Sequence, residues 1–304
     1  MSKLTELQEF CRQIQCICLA NEPMSAHTTF KIGGPVDLFI RPRDWRQAQQ
    51  VIRKTKQLSL PLIYIGKGSD LLVKDEGIQG VVLSFDELSA APSIRADDAN
   101  VIDCPAGVSL AALCLFAQRQ GLAGLEFAYG IPGSLGGAVY MNAGAYGGEM
   151  CGVVSEVFYL DADGTQKKLE RDHLEFGYRH SWFTDHPACL ITGAAIRLQK
   201  GDPQEIRSKM EDFMTRRKSK QPLEYPSAGS TFKRPTGSYA SLLIDQCGLK
   251  GCRVGGAMVS EKHAGFVINY DHATCQDVLD LVKHIQQTVN EKTGFTLECE
   301  IKML

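Results

Sequence analysis

Nine glycines, Gly121, Gly124, Gly130, Gly133, Gly136, Gly137, Gly144, Gly147 and Gly148, fall within 28 residues. Glycine at that density makes a poor interior for a helix or strand, because it gains no side-chain packing and loses the most backbone freedom on folding. This segment must therefore be a series of turns braced by regular elements on either side.

Those elements are legible in the apolar spacing. Val36, Leu38 and Ile40 alternate with Asp37, Phe39 and Arg41, the period of a strand. Trp45, Ala48, Val51 and Ile52 share a helix face, residues 62–65 read as a strand running into a glycine turn, and Val81-Val82-Leu83 closes a first unit. A second unit begins near Val101, with a helix over 109–120 capped by Ser109 and stopped by Gly121. Beyond the glycines, residues 153–160 and 168–169 flank Asp161-Ala162-Asp163-Gly164 as a hairpin, and 189–198 is a further strand.

Gly201-Asp202-Pro203 marks the expected domain boundary: Asp202 suits an N-cap, Pro203 the first helical position and Glu205 the third. That helix ends in Arg216, Arg217, Lys218 and Lys220, cations suited to its C-terminal dipole, and Pro222 stops it. The last helix starts at Thr274, carries Val278, Leu281, Val282, Ile285 and Val289 as its apolar stripe, and ends at Gly294. Residues 295–303 alternate as a final strand, and residues 4–19 read as an N-terminal helix. Helices and strands mix without a regular βαβ rhythm, so the expected class is α+β.

Composition narrows the function. A net charge of −2 gives no global attraction for nucleic acid or an acidic membrane, so an anionic ligand must be held by local groups. Eleven cysteines, none in a C-x-x-C pair and many in apolar runs, read as buried free thiols in a reducing, cytoplasmic setting rather than as a disulfide framework or zinc site. No secretory leader and no run of about 18 apolar residues is expected to target or span a membrane. The seven histidines show no metal-binding spacing.

Four constellations could carry chemistry. Gly66-Lys67-Gly68-Ser69-Asp70-Leu71 follows Ile65 at the end of an apolar strand. Gly130-Ile131-Pro132-Gly133-Ser134-Leu135-Gly136-Gly137 leads into Asn142, Ala143 and Gly144. Both suit backbone amides approaching a pyrophosphate, yet neither is a P-loop or a dinucleotide fingerprint, and tight turns alone would use the same glycines. Arg179 beside Tyr178 could clamp a carboxylate, or simply lie on the surface. Small residues around Ser230 suggest a turn presenting a hydroxyl, without a nucleophile elbow. Glu298 and Glu300 share the polar side of the last strand, and periodicity does not choose between them.

Taken in order, these segments resemble one family. His27-Thr28-Thr29-Phe30-Lys31-Ile32-Gly33-Gly34-Pro35, the two glycine loops, Tyr178-Arg179-His180-Ser181, Ala228-Gly229-Ser230-Thr231-Phe232-Lys233-Arg234-Pro235, Ile244-Asp245-Gln246-Cys247-Gly248-Leu249-Lys250-Gly251 and Leu297-Glu298-Cys299-Glu300-Ile301 look like the ordered signatures of the UDP-N-acetylenolpyruvoylglucosamine reductases. The match runs from about residue 24 to 304. It implies a vanillyl-alcohol-oxidase-type FAD-binding region over residues 1–200, in two α+β subdomains of about 20–88 and 89–200, and an α+β substrate domain over 201–304. It implies non-covalent FAD, NADPH as reductant, and a UDP-sugar enolpyruvyl ether reduced to UDP-N-acetylmuramate for peptidoglycan.

By match, Arg179 would hold the substrate carboxylate, Ser230 would protonate C2 and Glu300 would assist on the same face. Residues 65–71, with Gly130, Ile131, Pro132, Gly133, Ser134, Gly136, Gly137, Asn142, Ala143 and Gly144, would line the flavin cofactor. Tyr178, Lys220, Arg234, Lys250 and His263 would hold the UDP-sugar, with Arg234 standing where the better-known form has asparagine and His263 where it has glutamine. Only 48 positions separate Arg179 from Ser227, so the chain resembles the shorter second class, which lacks an extra substrate-covering loop. The competing reading is an oxidase of the same fold acting on a small alcohol or sugar. Many such oxidases bind flavin covalently through a His or Cys in a glycine loop, and residues 66–73 contain neither.

Overall fold

The computed structural model describes residues 2–85, 88 and 90–304. The chain forms two units that interleave along the sequence: Met1–Ala20, Asp37–Lys67 and Gly80–Arg216 in the first, and Asn21–Val36, Gly68–Gln79 and Arg217–Leu304 in the second. Residues 21–36 and 68–79 thus group with the C-terminal segment, while the start of the helix Pro203–Lys220 groups with the first unit. The subdomain limit expected at residues 88 and 89 touches Ser89, which lies outside the described residues.

One layer of the first unit is a four-stranded sheet, ordered Ile17–Pro23, Pro35–Arg41, Ile78–Ser84, Leu62–Ile65. Helix Trp45–Gln57 buries Ala48, Val51, Ile52 and Thr55, the spacing of a single helical face. Its start is set by Asp44, whose carboxylate accepts the Gln47 N–H at 2.8 Å. With Leu7 and Cys11 of helix Lys3–Gln13, Ala48, Val51 and Ile52 pack on Leu38, Ile40, Val81 and Leu83. The N-terminal helix stops at Gln13, not near residue 19, because Gln15 turns into the left-handed region (φ +56) and the chain enters the strand at Ile17. Phe39, expected on the polar side of its strand, is fully buried.

The other layer is a five-stranded antiparallel sheet, ordered Gln166–Glu170, Val154–Leu160, Leu190–Arg197, Asp98–Pro105, Ser93–Arg95. The expected hairpin forms because Asp161 accepts the amides of Asp163 and Thr165 at 2.9 and 3.0 Å and Gly164 takes φ +72. Helix Leu110–Arg119 is capped by Ser109 through the Ala112 amide at 3.2 Å. Inside the glycine stretch a short helix, Leu135–Tyr140, contributes Leu135, Ala138 and Val139 to the core. A side chain at Gly136 would bring a Cβ to 2.9 Å from the Ala106 Cβ, so that glycine is required by packing.

The second unit is built around helix Cys275–Thr293, which opens on a capping box between Thr274 and Asp277 and closes at Gly294 (φ +73). Its stripe packs on Leu243, Ile244, Ala257, Val259, Val267 and Leu297, with Phe30, Ile32 and Leu72 from earlier in the chain. A three-stranded antiparallel sheet, Arg253–Val254, Ala257–Val259 and Val267–Asn269, lies within this unit. The final strand is shorter than its alternation suggests. Only Lys302–Met303 pairs as a strand, parallel to Leu71–Leu72. Upstream of it Leu297 is 1% exposed but Cys299 is exposed, and within it Met303 is 48% exposed. Residues 298–300 bond Thr231 and Lys233 on one edge, with a lone bridge at Phe232 and Cys299. Without a full ladder, nothing imposes a two-residue period on facing.

Candidate active site

The two glycine loops meet in the first unit. A Cβ at Gly66 would lie 2.5 Å from the Ser134 hydroxyl, so the glycine permits this approach. The Leu135 and Gly136 amides are held by the Val108 and Ala106 carbonyls, each at 2.9 Å. The next amide, Gly137, has no protein acceptor among the described residues, and its position is exposed. Ser134 is 3% exposed, and its hydroxyl does not cap the helix it precedes. At the loop's other end, Ile131 N–H donates to Ala128 and Gly133 C=O accepts from Leu110, while Pro132 is exposed between them. An open amide and a hydroxyl beside side-chain-free backbone suit a pyrophosphate held by neutral donors. These residues fit FAD.

Arg179 stands on a two-residue turn in the same unit. Gly177 and His180 exchange backbone hydrogen bonds of 3.1 and 3.3 Å, leaving Tyr178 and Arg179 at the tip. Arg179 has φ +54, and its guanidinium lies 4.9 Å from the centre of the exposed Tyr178 ring. Ser181, fully buried, donates to the Tyr140 carbonyl at 2.7 Å and ties this turn to the glycine stretch. Asn142, expected among the cofactor residues, has its side chain committed to the protein: it donates to Gly177 C=O (2.9 Å) and Glu149 (3.2 Å), and accepts from Cys151 N–H (2.9 Å). Ala143 and Gly144 follow it as backbone supports, bonded to Ala138 and Met150 and paired with Glu149.

Ser230 and Glu300 come together in the second unit through Thr231, a residue that the sequence did not single out. Thr231 is buried; its N–H donates to Gly265, its carbonyl accepts from Glu300 N–H, and its hydroxyl accepts from Val267 N–H, all at 2.9 Å. Gly229 (φ +79) supplies the left-handed step before Ser230. Glu298 is exposed and pairs with Lys233 at 3.2 Å, whereas Glu300 is half-buried. The rest of the first glycine loop belongs to this unit too. Gly68 (φ +59) lies where a Cβ would meet the His27 carbonyl at 2.1 Å, Thr29 N–H donates to Gly68 C=O at 3.0 Å, and Asp70 C=O accepts from Lys302 N–H at 2.9 Å. Ser69 sits between these anchors and Lys67 is exposed.

Lys220, Lys250 and His263 form an electrostatic group. Burial, and then the charges of Lys250 and Lys220, hold the His263 pKa below its ordinary 6.5. Its Nδ1 accepts from Gly265 N–H at 3.2 Å, which suits the neutral ring. Lys250 also pairs with Asp245 at 2.7 Å, and the Arg234 guanidinium lies 4.0 Å from the centre of the Tyr239 ring. Because the folded pKa is depressed, the unfolded chain takes up this proton first as pH falls below about 6.5, and stability drops until the folded pKa is passed. The urea midpoint should therefore fall less in His263→Gln than in the parent between about pH 7.5 and pH 5. Equal falls would assign the acid sensitivity to other groups.

Comparison with known proteins adds to this geometry. Residues 221–304 match the family described as UDP-N-acetylenolpyruvoylglucosamine reductase, C-terminal domain, and residues 36–170 match an FAD binding domain. The chain is 46% identical over 302 residues to the UDP-N-acetylenolpyruvoylglucosamine reductase of Lachnoclostridium phytofermentans, covering 99% of this chain and 96% of that protein. It is 45% identical over 285 residues to the reductase of the same name from Clostridioides difficile, covering 93% and 92%. The crystal structure of the Thermus caldophilus enzyme superposes with a TM-score of 0.78 at 34% identity, over 95% of this chain and 98% of that one. The fold is thus the expected α+β one, an FAD-binding region with a C-terminal α+β domain.

Proposed function

This chain belongs to the UDP-N-acetylenolpyruvoylglucosamine reductase family, and on that basis we propose that Arg179, Ser230 and Glu300 carry its chemistry. It is an FAD- and NADPH-dependent oxidoreductase that reduces the enolpyruvyl ether of UDP-N-acetylglucosamine to UDP-N-acetylmuramate, a step of peptidoglycan precursor synthesis. The backbone bond from Glu300 N–H to Thr231 C=O supports this assignment of roles, because it joins the segment that carries Glu300 to the one that carries Ser230.

Gly66, Ser134 and Gly137 would hold FAD, which would supply the two-electron carrier between NADPH and the enolpyruvyl group. Addition of hydride at C3 leaves negative charge spread between C2 and the carboxylate. The Arg179 fork pairs with that carboxylate and stabilises the charge as it grows. Ser230 gives its proton to C2. A serine hydroxyl is a weak acid, but the developing carbanion is a far stronger base, so the transfer runs downhill; a proton from water restores the hydroxyl. Glu300 orients and polarises the same face. Overall, substrate, NADPH and one proton become product and NADP⁺. Lys220, Arg234, Lys250 and Tyr178 supply cationic and aromatic contacts for the UDP-sugar, and neutral His263 accompanies them.

We place the enzyme in the cytoplasm, where NADPH is available and where its eleven free cysteines remain reduced. No helix among the described residues is long and apolar enough to cross a membrane. An oxidase acting on a small alcohol or sugar would have no use for the Ser230 and Glu300 pair.

Anaerobic stopped-flow absorbance near about 450 nm tests the proposal, since flavin loses that band on reduction. NADPH should bleach the bound flavin, and the enolpyruvyl ether should restore it. Bleaching without recovery would point to a different acceptor, and protein purified without flavin after reconstitution attempts would reject the reading.

A further inference from the structure

We infer that Asn142 is a positioning residue for Arg179, acting through the carbonyl of Gly177; this rests on the carboxylate role proposed for Arg179. Two observations carry it. First, Arg179 occupies the left-handed region at φ +54, a conformation that an L-residue holds only when its surroundings over-determine it. Second, the hinge of that turn is bonded from outside. Gly177 C=O accepts both His180 N–H at 3.3 Å, across the turn, and the Asn142 side-chain amide at 2.9 Å.

Asn142 is suited to this by residue type. It lies 1% exposed at φ +46, a conformation asparagine tolerates better than most side chains. Both amide protons have acceptors, Gly177 C=O and Glu149, and its oxygen accepts from Cys151 N–H. Aspartate would lose both donors and face Glu149 with like charge. Gly144 takes part as well: a Cβ there would fall 2.6 Å from the Glu149 Cγ, so its glycine leaves room for the carboxylate that orients Asn142. The glycine stretch thus sets the Arg179 turn through one buried amide.

Asn142→Gly is the informative variant, because glycine accepts φ +46 without strain and removes only the side chain. It should keep bound FAD and NADPH-driven bleaching within about 2-fold, while reoxidation by the enolpyruvyl ether falls about 10–100-fold, the scale of a misplaced reacting group. Asn142→Asp should behave likewise. The decisive comparison is a double-mutant cycle. In an Arg179→Ala background, Asn142→Gly should change reoxidation less than about 2-fold, because the group it positions is gone. The same loss in both backgrounds would show a general structural role and overturn the inference. So would loss of bound flavin in both Asn142 variants, which would make Asn142 a cofactor-site residue. Failure of the underlying Arg179 role shows separately, as an Arg179→Ala single variant with normal reoxidation.

Discussion

Ser230→Ala is expected to slow flavin reoxidation by the enolpyruvyl ether about 10²–10⁴-fold, the usual worth of a positioned general acid, and to leave NADPH-driven bleaching nearly intact. The separation follows from the chemistry, since a proton is needed at C2 only in the second half-reaction. The fold should tolerate the change. The bonds that hold this segment are made by the backbone and hydroxyl of Thr231, and alanine at 230 alters none of them. Stopped-flow of both half-reactions, with a urea titration as the folding control, is the measurement. A variant that slows both half-reactions equally removes Ser230 as the proton donor.

Arg179→Ala should lower the rate of reoxidation by roughly 10²–10³-fold, the range for losing one preorganised stabiliser of developing negative charge. Arg179→Lys should recover only part of this, because lysine keeps the charge but lacks the planar fork that meets a carboxylate through two parallel bonds. The left-handed backbone at 179 is common to all three side chains, so the comparison isolates the head group. Turnover of Arg179→Lys equal to the parent would refute the clamp. The pair of results also separates the two roles. Arg179 acts on charge in the transition state and should affect substrate analogues lacking the carboxylate much less, whereas Ser230 acts on C2 whatever the carboxylate does.

The sequence by itself determined what short-range chemistry can specify. Asp202 accepts the Gln204 and Glu205 amides at 2.8 and 3.0 Å, and Ser109 and Thr274 cap their helices as read. The turn at 161–164 closes on its own aspartate. The order of motifs was enough to indicate the family, and with it FAD and the reaction. Tertiary structure decided what depends on partners far along the chain. Phe39 is fully buried although it points away from Leu38 and Ile40, so both faces of its strand are covered there, which alternation alone does not reveal. The segment before Lys302 lacks strand facing because Thr231 and Lys233 bond only one of its edges. Periodicity left Glu298 and Glu300 equivalent; in the fold, Lys233 pairs with the first and the backbone of the second is bonded beside Ser230. Asn142 read as one more residue of a cofactor loop, and only folding brings its amide to Gly177, 35 positions away. A cap or a turn is closed by residues within a few positions, so its signal is local; a buried amide that aims a distant arginine has no local signal, because both its partners and its purpose exist only once the chain has folded.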